Sequence, residues 1–207
     1  LVAPTLLLTA LMLWWPRVLV APLSSHASAI RPALGAFLLF GSALIGLALL
    51  GVAGSPRPLP FVPVLNPVDL LLIAVLALAF RALSDAFLPE GVRATRPVVF
   101  AVCFFAFATS VTLRAVHHLG GVVWDGSMVN SSLAQLSLTV GGSVIGVLAW
   151  VLGSRRGQRM LWMAGACIMD HVLAKLLLVD RSHLGNLFGI GSFMAYGLLC
   201  TVIGYLA

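Results

Sequence analysis

Residues 133–152 read LAQLSLTVGGSVIGVLAWVL, and no residue in this stretch is charged. A helix that crosses the hydrocarbon core of a bilayer needs about 20 predominantly apolar residues. The stretch is that long, continuous, and free of the strict polar–apolar alternation that marks a barrel strand. It therefore predicts a membrane helix. Working outward, six more runs have the same character: Leu1–Trp15, Pro32–Ala53, Val68–Leu88, Pro97–Val116, Met160–Val179 and Leu184–Leu206. Seven spans use about 140 residues, which leaves short connections in a chain of 207. The whole chain, residues 1–207, reads as a single transmembrane helical domain: an all-α, polytopic bundle of about seven membrane helices.

Composition points the same way. Hydrophobic residues make up 61% of the chain and charged residues only 9%, with a mean hydropathy of +1.11. Soluble domains carry about 25% charged residues to cover their surface, so a water-soluble globule is excluded, as is a disordered chain. The chain opens on Leu1 and stops at Ala207 directly after an apolar run. This predicts a piece of a larger membrane protein. A rival reading takes Leu1–Leu13 as a signal-peptide core with Ala27–Ser28–Ala29 as its cleavage site. Arg17 directly after the core and the lack of a basic residue before it oppose that reading.

The basic residues give an orientation. Of the twelve Lys and Arg, Arg17 and Arg31 fall between the first two runs. Arg81, Arg93 and Arg96 fall between the third and fourth, and Arg155, Arg156 and Arg159 between the fifth and sixth. The even connections hold only Arg57, Arg114 and Arg181. Basic residues near span ends are retained on the cytoplasmic side, so the odd-numbered loops are expected there. Trp14, Trp15, Trp150, Trp162 and Tyr205 fall at the same ends, where amphipathic rings favour the headgroup layer. The expected setting is a bacterial inner membrane, with the bilayer and neighbouring membrane helices as partners. Arginines scattered singly over loops do not make a nucleic-acid face, so the net charge of +6 has a topological cause.

Local signals add detail. Asn66 followed by Pro67 suits a helix start, with an N-cap and a first-turn proline. The stretch Gly54–Pro60 reads as an extended strap. The connection from His117 to Asn130, with Val122, Val123 and Trp124, reads as an interfacial segment. Gly142 with Gly146, and Gly185 with Gly189, form small-x-x-x-small pairs that let helices approach closely, and Gly197 and Thr201 continue the second row. Cys103, Cys167 and Cys200 lack metal-ligand spacing and read as small buried residues inside helices.

The polar residues inside the runs are the candidates for chemistry. Asp170, His171 and Lys175 lie in Met160–Val179, and charge near the bilayer centre is costly enough that it ordinarily faces protein or water. His171 and Lys175 are about 40° apart on a helix, whereas Asp170 and Lys175 are about 140° apart. One reading is a proton or ion relay through Asp170 and His171 with Lys175 as an anion contact. The other leaves Asp170 neutral or hydrogen-bonded and lets Lys175 snorkel outward. Near the outer rim, Asp69, Arg114, Trp124, Asp125, Asp180 and Arg181 could join Lys175 around a pocket, beside His117 and His118. Adjacent histidines point about 100° apart, which disfavours metal ligation. No metal, cofactor or catalytic residue is expected, and the common soluble-enzyme motifs are absent.

The last third carries an ordered pattern: Trp124–Asp125, Gln135, Gly153–Ser154–Arg155–Arg156, Arg159–Met160–Leu161–Trp162–Met163–Ala164–Gly165, Lys175 through Asp180, Ser192–Phe193 and Ile203–Gly204–Tyr205–Leu206. In these residues the chain resembles the C-terminal region of the domain-of-unknown-function 2339 family, large bacterial membrane proteins with many spans. Residues 120–207 carry most of the resemblance, and Asn66–Pro67 with Asp69 a weaker part. It implies a multi-pass membrane protein with no established activity. Lys175 and Asp180 sit on the family pattern, whereas Asp170 and His171 stand where apolar residues are usual. Three functions follow as expectations. The first is a structural or assembly module of a larger cell-envelope protein. The second is a transporter-type protein with an outward-facing pocket near Lys175 and Asp180. The third is a membrane transferase using His117 or His118 as base.

Overall fold

The computed structural model describes residues 2–14, 27–54, 60–84, 89–178 and 187–206. Every regular element among them is helical. They are α1 (Val2–Trp14), α2 (Ala27–Leu50), α3 (Pro67–Ala82), α4 (Glu90–Ala94), α5 (Arg96–Gly120), α6 (Ser132–Arg156), α7 (Arg159–Leu178) and α8 (Leu187–Leu206), with a 3-10 turn at Met128–Asn130. Each of the seven apolar runs contains one long helix, and α4 is a short addition the hydropathy does not announce.

Four helical segments are long and apolar enough to cross a bilayer: Pro32–Leu50, Arg96–Gly120, Ser132–Arg156 and Arg159–Leu178. At 1.5 Å per residue, the 25 residues of α6 extend about 37 Å, more than the roughly 30 Å of hydrocarbon. By contrast α1 has 13 residues and α3 has 16, about 20 and 24 Å. The apolar part of α8, Ile190–Tyr205, is also short. Four helices thus have the length and apolar character of a span, and a count of seven is not reached among the described residues.

The chain divides into two compact units, Leu1–Phe107 and Ala108–Ala207, with the divide inside α5. In the first unit α1, α2 and α3 meet through apolar side chains. Leu6, Leu13, Val75, Leu78 and Ala82 are buried together, with Leu39, Ile45 and Leu71 packed on them. One polar link joins α1 to α2, where Thr9 Oγ1 and Ser42 Oγ lie 3.0 Å apart. Each hydroxyl also has a carbonyl of its own helix in reach, that of Thr5 for Thr9 and that of Leu38 for Ser42; one hydroxyl donates to its carbonyl and accepts from the other.

The start of α3 follows from its sequence. The Asn66 side chain accepts from the amides of Val68 and Asp69 at 3.0 Å each, with Pro67 in the first helical position. The Asp69 carboxylate faces back and accepts from the Val64 amide at 3.1 Å and from the Asn66 side-chain amide. Val64 itself has φ +72°, a left-handed conformation costly for a β-branched residue. Its bond to Asp69 holds that turn. At the other end of α3, Arg81 donates to the Leu13 carbonyl at 3.4 Å, and the Arg96 guanidinium stacks 3.8 Å from the Phe80 ring centre.

In the second unit α6 and α7 form an antiparallel hairpin, and α8 packs on α6. Ser131 caps α6 by accepting from the Ala134 amide at 3.2 Å. Gly157 ends α6 in the left-handed conformation, φ +62°. The Gln158 amide then donates to Gly153 at 2.9 Å and the Gly157 amide to Ser154 at 3.2 Å, closing the helix with a Schellman-type turn. The chain re-enters helix two residues later.

Candidate functional site

The hairpin holds Asp170, His171 and Lys175, and its backbone geometry fixes where they point. A Cβ placed on Gly142 would lie 3.0 Å from Val172 Cγ2, and one on Gly146 would lie 2.9 Å from Met169. Nearer the turn the approach is closer still. A Cβ on Gly153 would strike the backbone of Trp162, and one on Gly165 the backbone nitrogen of Trp150, with the Gly146 carbonyl oxygen 2.8 Å away. Gly153 and Gly165 thus bring the two helices into backbone contact, while Gly142 and Gly146 lie close against side chains of α7; small residues allow such approach where lipid gives no hydrophobic drive. Gly142 with Gly146 is the pair read from the sequence; Gly153 has the same four-residue spacing to Gly157, whereas Gly165 has no small residue at that spacing. Gly153 also follows Gly146 by seven residues, a heptad continuation of that row. Among the other expected packing positions, Gly189 lies in the first turn of α8, and Gly185 lies outside the described residues. A Cβ on Gly197 would meet nothing within 4 Å, and Thr201 is exposed. That end of the row has no helix against it among the described residues.

Lys175 is drawn into the hairpin. Its Nζ donates to the Gln135 carbonyl at 3.0 Å and to Thr139 Oγ1 at 2.6 Å, both on α6. This corrects the expectation that it snorkels outward: two acceptors one turn apart on α6, one of them on a fully buried threonine, capture the ammonium within the protein. His171, expected to share its face, is exposed. Asp170 is exposed too, close enough to Tyr196 of α8 for its charge to act there. The Tyr196 hydroxyl donates to the Met169 carbonyl at 3.2 Å. Asp180 and Arg181 lie outside the described residues.

The rim residues have local roles. Asp125 is exposed and accepts from the Ser127 amide at 2.8 Å and the Ser127 hydroxyl at 2.6 Å. These bonds, the hydroxyl first, hold its carboxyl below the ordinary 3.8. Trp124 packs onto the buried cluster of Val116, Met128 and Ala134, its ring 5.8 Å from that of His117. The two histidines are not in a loop, as the sequence suggests, but in the last turn of α5. That helix runs to Gly120 because nothing before Gly121, at φ +68°, interrupts its hydrogen bonding. His117 Nδ1 is 2.7 Å from the Val122 carbonyl, which ties the ring to the connection that follows.

Asp69 is committed to the start of α3, as described above. Arg114 is fully buried, two turns inside α5 rather than in a connection. The cysteines also differ from expectation. Cys167 and Cys200 are exposed and Cys103 is half-buried, on outer helix faces where an apolar surface is suited to lipid. Among the described residues, no three His, Cys, Asp or Glu side chains come together as metal ligands.

The architecture is that of a polytopic helical membrane protein. A family model described as "Predicted membrane protein (DUF2339)" matches residues 1–207, and the chain belongs to that family. The match covers the whole chain, wider than the 120–207 region in which the sequence pattern is strongest. Neither the curated proteins nor the solved structures contain a match.

Proposed function

We propose that this chain is a structural or assembly module of a larger polytopic protein in the bacterial inner membrane, crossing the bilayer about seven times with its odd-numbered connections in the cytoplasm. One observation carries the reading. Asp170 lies in the middle of α7 and is exposed, although a carboxylate near the bilayer centre ordinarily faces protein or water. The assembly reading takes protein beyond the described helices as the cover; a water-filled path to it is what the second reading below requires. The open face at Gly197 supports the same conclusion, and Asp69 and Asp125 are committed to a local helix start and turn.

The test is a single cysteine at position 170 in a chain otherwise free of cysteine, probed in native membranes. The assembly reading expects no labelling by a membrane-impermeant maleimide, and weakened recovery of co-purifying membrane helices when Asp170 is changed to Ala. Rapid labelling from the aqueous side would overturn it. That result would favour the second reading, a transporter-type protein handling a small solute or ion near Lys175 and Asp180. One observation favours this alternative: Gln135 Oε1 and Ser143 Oγ are buried without a hydrogen-bond partner, on the helix that receives Lys175.

A further inference from the structure

The turn between α6 and α7 concentrates positive charge. Arg155 and Arg156 end α6, Arg159 begins α7, and all three are exposed. No Asp or Glu occurs anywhere from Gly126 to Met169, so the only carboxylate of the hairpin, Asp170, stands in the middle of α7, away from the turn. The glycine seam makes the platform rigid, since α6 and α7 are in backbone contact at Gly153 and Gly165, just inside the turn.

Arg155 and Arg156 suit their positions, because cations are favoured at a helix C-terminus. Arg159 does not. It stands in the first turn of α7, which contains no acidic residue, and faces the positive end of the helix dipole. A locally unfavourable choice of this kind points to an external partner that offsets it. Just inside the turn, Trp150 and Trp162 pack edge to face with ring centres 5.6 Å apart, and Trp162 is 41% exposed. Indole rings favour the glycerol and headgroup layer, so they set the depth of the turn: the arginines lie level with lipid phosphates.

We propose that the Arg155–Arg159 turn binds the phosphate headgroup of an anionic phospholipid, with the Trp150–Trp162 pair against its glycerol region. Guanidinium matches a phosphate's oxygens with paired N–H donors. A lipid, unlike a free anion, also meets the indoles.

The experiment titrates the full chain in mild detergent with dioleoyl-phosphatidylglycerol and, separately, with dioleoyl-phosphatidylcholine, counting bound lipids by native mass spectrometry. The glycerol lipid is expected to bind about tenfold more tightly or better, since each basic residue near an anionic surface contributes roughly a factor of five. Changing all three arginines to Gln reduces its binding to that of the choline lipid, whereas changing all three to Lys keeps the charge without the paired donors and retains only part of the preference. Arg93→Gln with Arg96→Gln, at a different basic connection, leaves it intact, and inorganic phosphate does not compete. Should the triple Gln variant fail to fold, Arg159→Gln alone is expected to lower the preference severalfold. Equal binding of the two lipids, a preference that survives loss of the arginines, or displacement by inorganic phosphate overturns the assignment. None of these results bears on whether Asp170 is covered by protein.

Discussion

In the first unit α1 meets its neighbours through the side chains of Leu6, Leu13, Val75 and Leu78. In the second, α6 meets α7 through glycines, and at Gly153 and Gly165 backbone faces backbone. The two seams answer one constraint, that hydrocarbon provides no solvent-driven association of helices. Side-chain packing tolerates small changes, because rotamers can yield. Backbone contact does not, because nothing in it can move aside. Glycine inside a helix costs up to about 1 kcal/mol relative to alanine, so its use at four positions in this hairpin makes sense only where close approach returns that cost.

The sharpest way to break this comparison is one methyl group. Gly165→Ala places a Cβ against the Trp150 backbone, and a loss of about 3 kcal/mol is expected in detergent unfolding, at the upper end for overpacking. In the first unit the same change at Gly41, whose Cβ would lie 3.5 Å from the Thr5 methyl, is expected to be neutral or stabilising by up to about 1 kcal/mol. Equal effects at the two positions would show that the seams do not differ in kind.

Next in size is the polar pin of the first unit. Asp69→Ala leaves the Val64 amide and the Asn66 side chain without their acceptor, which should cost about 2–3 kcal/mol. Asn66→Ala, which removes the cap alone, should cost about 1 kcal/mol, both read by the same unfolding assay. A double-mutant cycle on Lys175 and Thr139 is expected to give a coupling of about 1 kcal/mol, against about 0.6 for Thr9 and Ser42, within the range for polar contacts between membrane helices. A larger coupling in the first unit would invert the comparison.

The smallest effect concerns pH. Hydrogen bonds from Ser127 lower the Asp125 carboxyl below 3.8 in the folded chain. A carboxyl depressed by folding contributes stability above its unfolded value, and that contribution is lost as pH falls through the lower folded value. The turn should therefore loosen only in strong acid, below 3.8. Asp125→Ala should erase that step in a fluorescence titration of Trp124 and leave neutral pH little changed.

Much of this was legible in the residues. The apolar runs located every long helix, because helix formation in lipid requires only that a segment be apolar and able to satisfy its own backbone. Asn66–Pro67 announced the start of α3, since capping is a local matter. The direction of Lys175 was not legible. Helical angles place it beside His171, yet the acceptors that draw it inward belong to α6, 40 and 36 residues away. Gly153 and Gly165 show a related limit: spacing along one helix, such as Gly153 to Gly157, does not say which small residue faces the helix opposite. His117 and His118 were assigned to a connection because hydropathy falls there, but a helix continues past its apolar part while its hydrogen bonds continue.

The sequence by itself determined the solvent of this protein, its helical content and its membership of a membrane family, because all three depend on composition and order along one segment at a time. Only the tertiary structure decided which glycines carry a seam, which way an ammonium turns and which carboxylate remains uncovered. Those outcomes depend on distances between segments, and no periodicity within a single helix encodes them.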